Sequence, residues 1–269
     1  MDLTRLDRIG LDFGKIPAMH RALIRIPLLL LVTLTAHGAN WLSRVFVRRW
    51  WPRRHVRNRN AAFNWWGRAF CWVCGCKVRI EGTPPRGEFF LVSNHVGYLD
   101  IIVLGTAVEA AFIGKADLRD WPVLGWAFAT ADTIFIDRGR KRDLIRVLEV
   151  VDKKIAEGYG ILLFPEGTSG KGNALLRFKP SILQFPAARG DAVHFVTLTY
   201  HTPEDQLPPS RSVCWWGDES FFPHVLRMTS LPRFEAVLHF GDHTVQETDR
   251  KLLAEKLQAA MAAQFEPMP

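Results

Sequence analysis

Short, mostly apolar runs separated by turn residues and longer amphipathic stretches constrain this chain most strongly. Phe89–Val92, Ala111–Gly114, Thr133–Ile136, Gly160–Phe164 and His194–Tyr200 read as buried strands of four to seven residues. Between and after them lie helical patterns. Arg142–Glu157 repeats Leu144, Val147, Leu148, Val151 and Ile155 along one stripe, and Asp249–Phe265 repeats Leu252, Leu253, Leu257, Ala260 and Met261. Val78–Glu81 alternates like an earlier strand and ends in the turn Gly82–Gly87. Strands alternating with helices predict an α/β fold with a largely parallel central sheet flanked by helices.

The first 76 residues follow another pattern. Ile26–Ser43 carries no Asp, Glu, Lys or Arg for 18 residues, with Arg21 and Arg25 before it and Arg44, Arg48 and Arg49 after it. That length sits at the lower edge of the roughly 17–25 residues a spanning helix needs. Trp50–His55 reads as a break, and Ala61–Cys76 as a second helix with Phe63, Trp66, Phe70 and Val73 on one face. Six of the ten Trp precede residue 73, and Trp and Arg favour the headgroup region of a bilayer. Two apolar helices joined by a basic turn predict an N-terminal helical membrane-anchoring segment, monotopic or singly spanning. The same helices also suit packing on the body of the protein. The expected division is 1–76 for membrane-associating helices and 77–269 for the α/β domain. The expected location is the cytoplasmic face of the inner or plasma membrane.

Charge supports that division. Residues 1–60 hold 12 Lys and Arg against 3 Asp and Glu, while the remainder holds 23 against 24. A basic arm suits nucleic acid or an anionic membrane; the Trp and apolar content of this one selects the membrane, and no nucleic-acid partner is expected. Cys71, Cys74 and Cys76 are clustered without a companion Cys/His pair at metal-ligand spacing, and Cys214 stands apart. Reduced, apolar thiols are expected, with neither a disulfide framework nor a metal.

Two stretches at strand ends carry chemistry. Ser93-Asn94-His95-Val96-Gly97-Tyr98-Leu99-Asp100 follows the strand Phe89–Val92, with Ser93 and Asn94 as helix N-cap residues. On a regular helix His95 and Asp100 point about 140° apart. They meet only across a loop or irregular first turn, which Gly97 permits. A carboxylate on one imidazole nitrogen makes the other a better base, and a substrate hydroxyl then supplies the nucleophile. The same residues equally fit a helix cap and a solvated acid. Phe164-Pro165-Glu166-Gly167-Thr168-Ser169 closes the run Gly160–Leu163 in a tight turn. Arg138-Gly139-Arg140-Lys141-Arg142 follows Thr133–Ile136 and fits either a phosphate site or a solvated basic turn.

In this order, Asn94-His95 with Asp100, then Phe135-Ile136-Asp137-Arg138, then Phe164–Thr168, these blocks resemble the glycerophospholipid (1-acylglycerol-3-phosphate and other lysophospholipid) acyltransferase family, from about Gly82 to Tyr200. The resemblance implies direct acyl transfer from acyl-CoA or acyl carrier protein to a lysophospholipid hydroxyl, with no cofactor and no covalent acyl-enzyme. It implies His95 and Asp100 as the catalytic pair, Arg138 on the acceptor phosphate, and Glu166, Gly167 and Thr168 at the acceptor. Asn94, Lys115 and Lys179 fit further substrate-contact positions. Backbone N–H groups after Ser93 are expected to hold the oxyanion. The chain departs from the pattern at Asp132, where the family usually has Gly, and at Phe195, where it usually has Pro. Cys214–Phe222 resembles a subgroup acting on other lysolipids such as lyso-ornithine lipid; Asp218 and Glu219 there read as surface acids.

Overall fold

The computed structural model describes residues 19–120, 124–130, 133–137 and 141–269. Seven strands form one sheet: β1 Cys76–Glu81, β2 Phe90–Ser93, β3 Ala110–Lys115, β4 Ile134–Ile136, β5 Gly160–Leu163, β6 Val193–His201 and β7 Phe234–Phe240. Their spatial order is β1-β7-β6-β2-β5-β3-β4. Every neighbouring pair is parallel except β6 with β7. The expected α/β architecture is therefore present, with one antiparallel seam. β7 has no counterpart in the reading of the apolar runs. Its burial alternates only partly, because Val237 is buried between Ala236 and Leu238, so it offered neither an apolar block nor a clean period of two.

Helices cover both faces. α1 spans His20–Phe46, α2 Pro52–Cys74, α3 Leu99–Leu104, α4 Leu124–Thr130, α5 Lys141–Ala156, α6 Gln184–Arg189, α7 Pro209–Ser212, α8 Phe221–Ser230 and α9 Arg250–Gln264. α9 starts at a true cap: Asp249 accepts from Lys251 N and Leu252 N at 2.7 and 3.0 Å. One core gathers Val147, Val151 and Ile155 of α5 and Leu253, Leu257 and Met261 of α9 beneath β2, β5 and β6. The opposite core gathers Phe63, Trp66, Phe70 and Val73 of α2 against Leu91, Leu162 and Leu198. Each such side chain, fully buried, contributes about 1.5–3 kcal/mol.

α2 begins at Pro52, nine residues before the expected start. Trp50–His55 is not a break throughout, because proline suits the first turn of a helix, where its missing N–H has no partner to lose. α1 turns Ala22, Leu29, Thr33, Ala36, His37 and Asn40 inward. Trp66 Nε1 of α2 donates to Thr33 Oγ1 at 3.0 Å. Arg25 donates to the carbonyls of Thr229 in the last turn of α8 and of Leu231 and Pro232 just after it, which ties α1 to the α/β body. The outward side of α1 carries exposed Leu23, Ile24, Leu30, Leu31, Leu34 and Trp41. By length and composition α1 is apolar enough to cross a membrane.

Candidate active site

β2 and β5 are adjacent and parallel, with Val92 opposite Leu163. The two motif loops therefore leave the same carboxyl edge of the sheet, where open α/β sheets place their ligand crevices. β6 flanks β2 on its other side and outruns it. The pairing ends at Ser93 opposite Val196, whereas β6 continues to His201. The extra length lies alongside the turn after β2.

That turn is irregular over residues 94–98, and α3 starts at Leu99. His95 Nδ1 and Asp100 Oδ2 meet at 2.7 Å. Asp100 is fully buried, while the His95 side chain is 21% exposed. The same Oδ2 accepts from Val96 N at 2.7 Å and Gly97 N at 3.0 Å. Asp100 thus folds the turn back on itself with the backbone donors a helix start leaves unsatisfied. Ser93 and Asn94 do not cap the helix, because the turn intervenes: Ser93 Oγ bonds Asn94 O at 3.0 Å, and the side chain at the cap position, Tyr98, makes no capping bond to the helix backbone. Gly97 is required for space rather than for the bend. A Cβ there would stand 3.0 Å from Trp215 N, which donates to Val96 O at 2.7 Å.

Three backbone donors expected for the oxyanion are already committed. Val96 N and Gly97 N serve Asp100, and His95 N donates to Glu166 Oε2 at 3.4 Å. The expectation that these N–H groups cradle the oxyanion is corrected by that geometry.

Phe164 and Glu166 complete the near wall. The Phe164 ring stacks on the His95 imidazole with centroids 4.2 Å apart. Gly167, at φ +70°, takes the left-handed conformation that glycine adopts without strain. Glu166 is buried and joins two loops, accepting from His95 N and, at 3.3 Å, from Leu176 N. Burial pushes its carboxyl up to about 8; the two N–H donors oppose this and the Asp100 charge adds to it. Gly170 N donates to His95 O at 2.8 Å and Lys179 N to Pro165 O at 2.7 Å, so segment 166–179 is laced to the His95 turn and to the end of β5.

The remaining expected contacts are spread out. Asn94 is buried, and both its amide atoms pair with the Leu198 peptide: Nδ2 donates to O at 2.9 Å, and Oδ1 accepts from N at 2.7 Å. Expected at the substrate, this side chain is instead occupied in joining the turn to β6. Thr168 and Lys179 are exposed beside the Glu166 loop. Lys115 closes β3 opposite Ile136. Arg138 lies outside the described residues. Asp218 is exposed, whereas Glu219 is half-buried and ion-paired with Arg227. Phe164 was visible in its motif without an assigned role. Tyr200, whose hydroxyl donates to Asp100 Oδ1 at 3.1 Å, was missed altogether; a lone Tyr in an apolar strand carries no local signal.

Residues 75–200 match the family described as Acyltransferase, a stretch that contains His95, Asp100 and Glu166. The chain is 31% identical over 233 residues to the lyso-ornithine lipid O-acyltransferase of Pseudomonas aeruginosa, covering 86% of this chain and 89% of that one. It is 33% identical over 191 residues to the 1-acyl-sn-glycerol-3-phosphate acyltransferase of Neisseria gonorrhoeae, covering 70% and 74%. The crystal structure of the 1-acyl-sn-glycerophosphate acyltransferase of Thermotoga maritima shares the fold with a TM-score of 0.62 at 22% identity, covering 91% of this chain and 98% of that one. With its His–Asp pair at the sheet's carboxyl edge and these likenesses over most of its length, the chain belongs to the acyltransferase family.

Proposed function

We propose that the protein transfers a fatty acyl group from an acyl thioester, carried by coenzyme A or acyl carrier protein, to the free hydroxyl of 1-acylglycerol-3-phosphate. The observation that carries this reading is the 2.7 Å bond from His95 Nδ1 to a fully buried Asp100. It holds the ring in the tautomer that leaves Nε2 as the base. Nε2 takes the acceptor's hydroxyl proton as the oxygen attacks the thioester carbonyl. The C–O bond forms, the C–S bond breaks, and the proton held on the ring goes to the departing thiolate. His95 and Asp100 are the catalytic pair. Arg138, Lys115 and Lys179 serve the acceptor's phosphate or the donor. Glu166, Gly167 and Thr168 shape the acceptor side of the crevice.

A second acceptor, lyso-ornithine lipid, is favoured by the longer match to the relative of that name. Its head group is an amino acid rather than a phosphate. An acceptor panel with purified protein in detergent separates the two. Ester formation with 1-acylglycerol-3-phosphate, lost in His95→Ala and with a raised acceptor KM in Arg138→Ala, supports the first reading. Ester formation only with lyso-ornithine lipid, insensitive to Arg138→Ala, replaces it with the second. Thioester loss at the same rate without any acceptor overturns both in favour of hydrolysis.

The acceptor and product are lipids, which gives the exposed side of α1 its role. We place that side against the cytoplasmic leaflet, with Trp41, Trp50 and Trp51 near the headgroups.

A further inference from the structure

We propose that Tyr200 is a positioning residue for the catalytic pair, fixing the Asp100 carboxylate through Oδ1 while His95 is held through Oδ2; this rests on reading His95 as the general base. Oδ2 has three donors, His95 Nδ1, Val96 N and Gly97 N. All three belong to the turn that Asp100 itself closes. Tyr200 is the bond from outside it, across 100 residues of chain. It reaches Asp100 because β6 runs past the end of β2.

The strand holds the phenol firmly. Tyr200 is fully buried and pairs with Ala236 of β7, and its N–H faces Met268 Sδ at 3.3 Å. Burial first, then the nearby Asp100 charge, raises the phenol well above its ordinary range. It therefore stays an O–H and donates. A donor on Oδ1 draws charge away from Oδ2. That weakens the hold of Oδ2 on the Nδ1 proton and limits how strongly the carboxylate favours the imidazolium. Removing the donor leaves a buried acceptor without it and concentrates charge toward His95.

Other titratable groups face this pair from the surrounding elements. Glu166 approaches from the loop after β5, with its carboxyl up to about 8. Cys214, after α7, has its thiol raised by burial and by the Asp100 charge. Cys76 of β1 has its thiol raised by a hydrogen bond with the Cys71 thiol and by burial. Tyr98 lies within the turn itself, with His224 of α8 bonded behind it at 3.0 Å. Of these, Glu166 titrates within the working range, so the readout must see the imidazole directly.

The experiment compares wild type, Tyr200→Phe and site-specific 3-fluorotyrosine at position 200. The fluorophenol is a stronger donor of nearly the same size, so it remains informative if the Phe variant folds poorly. Acyl-transfer kinetics are followed across roughly pH 5–9, alongside a titration of ¹⁵N-labelled histidine, with His95 assigned by its loss in His95→Ala. Tyr200→Phe is expected to lower kcat about tenfold with little change in acceptor KM. It should also move the acidic limb of the profile and the His95 ring titration to higher pH. The fluorotyrosine protein is expected to move both to lower pH. A fall in kcat with neither the limb nor the ring titration displaced in either protein would show that Tyr200 only fills space. If wild type esterifies no lysolipid, the acyl-transfer reading fails, while the ring titration still decides the role of Tyr200.

Discussion

At the scale of single residues, burial separates the two members of the pair. His95 is part-exposed and supplies one of four donors to Asp100, so His95→Ala is expected to lower the melting temperature less than Asp100→Asn does, while lowering kcat by about 10²–10⁴-fold. Asp100→Asn is expected to lose activity and stability together, because the carboxylate receives four donors and the amide can accept at only one of its two positions. Glu166 adds a pH dependence. Its folded value, about 8, lies above the ordinary 4.5, so the folded state binds more protons through that window. Stability is full below about 4.5 and declines as pH rises toward about 8. In thermal melts across that range, Glu166→Gln is expected to remove the decline; an equally steep decline in the variant would show that another group causes it.

At the scale of elements, the turn that holds His95 and Asp100 depends on its neighbours rather than on its own helix. Gly97→Ala brings a Cβ against the Trp215 backbone at 3.0 Å. It is expected to cost about 1–3 kcal/mol of stability and to lower kcat more than acceptor KM is raised, as measured by melts and initial rates. The segment after α9 acts similarly from the other side. Met268 is buried against Tyr200 N and Cys214 Sγ, and its own N–H donates to Gly172 O at 2.9 Å. Met268→Ala is expected to cost about 2–5 kcal/mol in denaturant unfolding, with a loss of activity that Met268→Leu largely restores.

At the scale of the whole molecule, α1 presents two different sides. One packs on α2 and is tied to the C-terminal end of α8 by Arg25; the other exposes a run of leucines. Replacing Leu30, Leu31 and Leu34 by Ser is expected to leave the fold intact and to reduce co-flotation with anionic phospholipid vesicles several-fold. Retention of full flotation would remove this surface from the membrane contact. An acceptor presented as a short-chain, water-soluble lysolipid should then still be esterified at the wild-type rate, because the crevice at the carboxyl ends of β2 and β5 does not include these residues.

Much of this was written locally. The apolar runs marked six of the seven strands within a few residues, Leu144 to Ile155 and Leu252 to Met261 marked α5 and α9, and the two motif loops announced themselves at strand ends. These signals are periodicities and turn residues, which act over a few positions and survive in sequence. The tertiary structure alone decided which strands are neighbours. Parallel pairing brings β5 beside β2, and so Glu166 to the His95 peptide; β6 on the other flank brings Leu198 to Asn94 and Tyr200 to Asp100. It also committed the His95 N–H to the Glu166 carboxyl. Such bonds join residues 71 to 104 positions apart. They form because the packed cores fix the strand order, and no local pattern in the chain records that order.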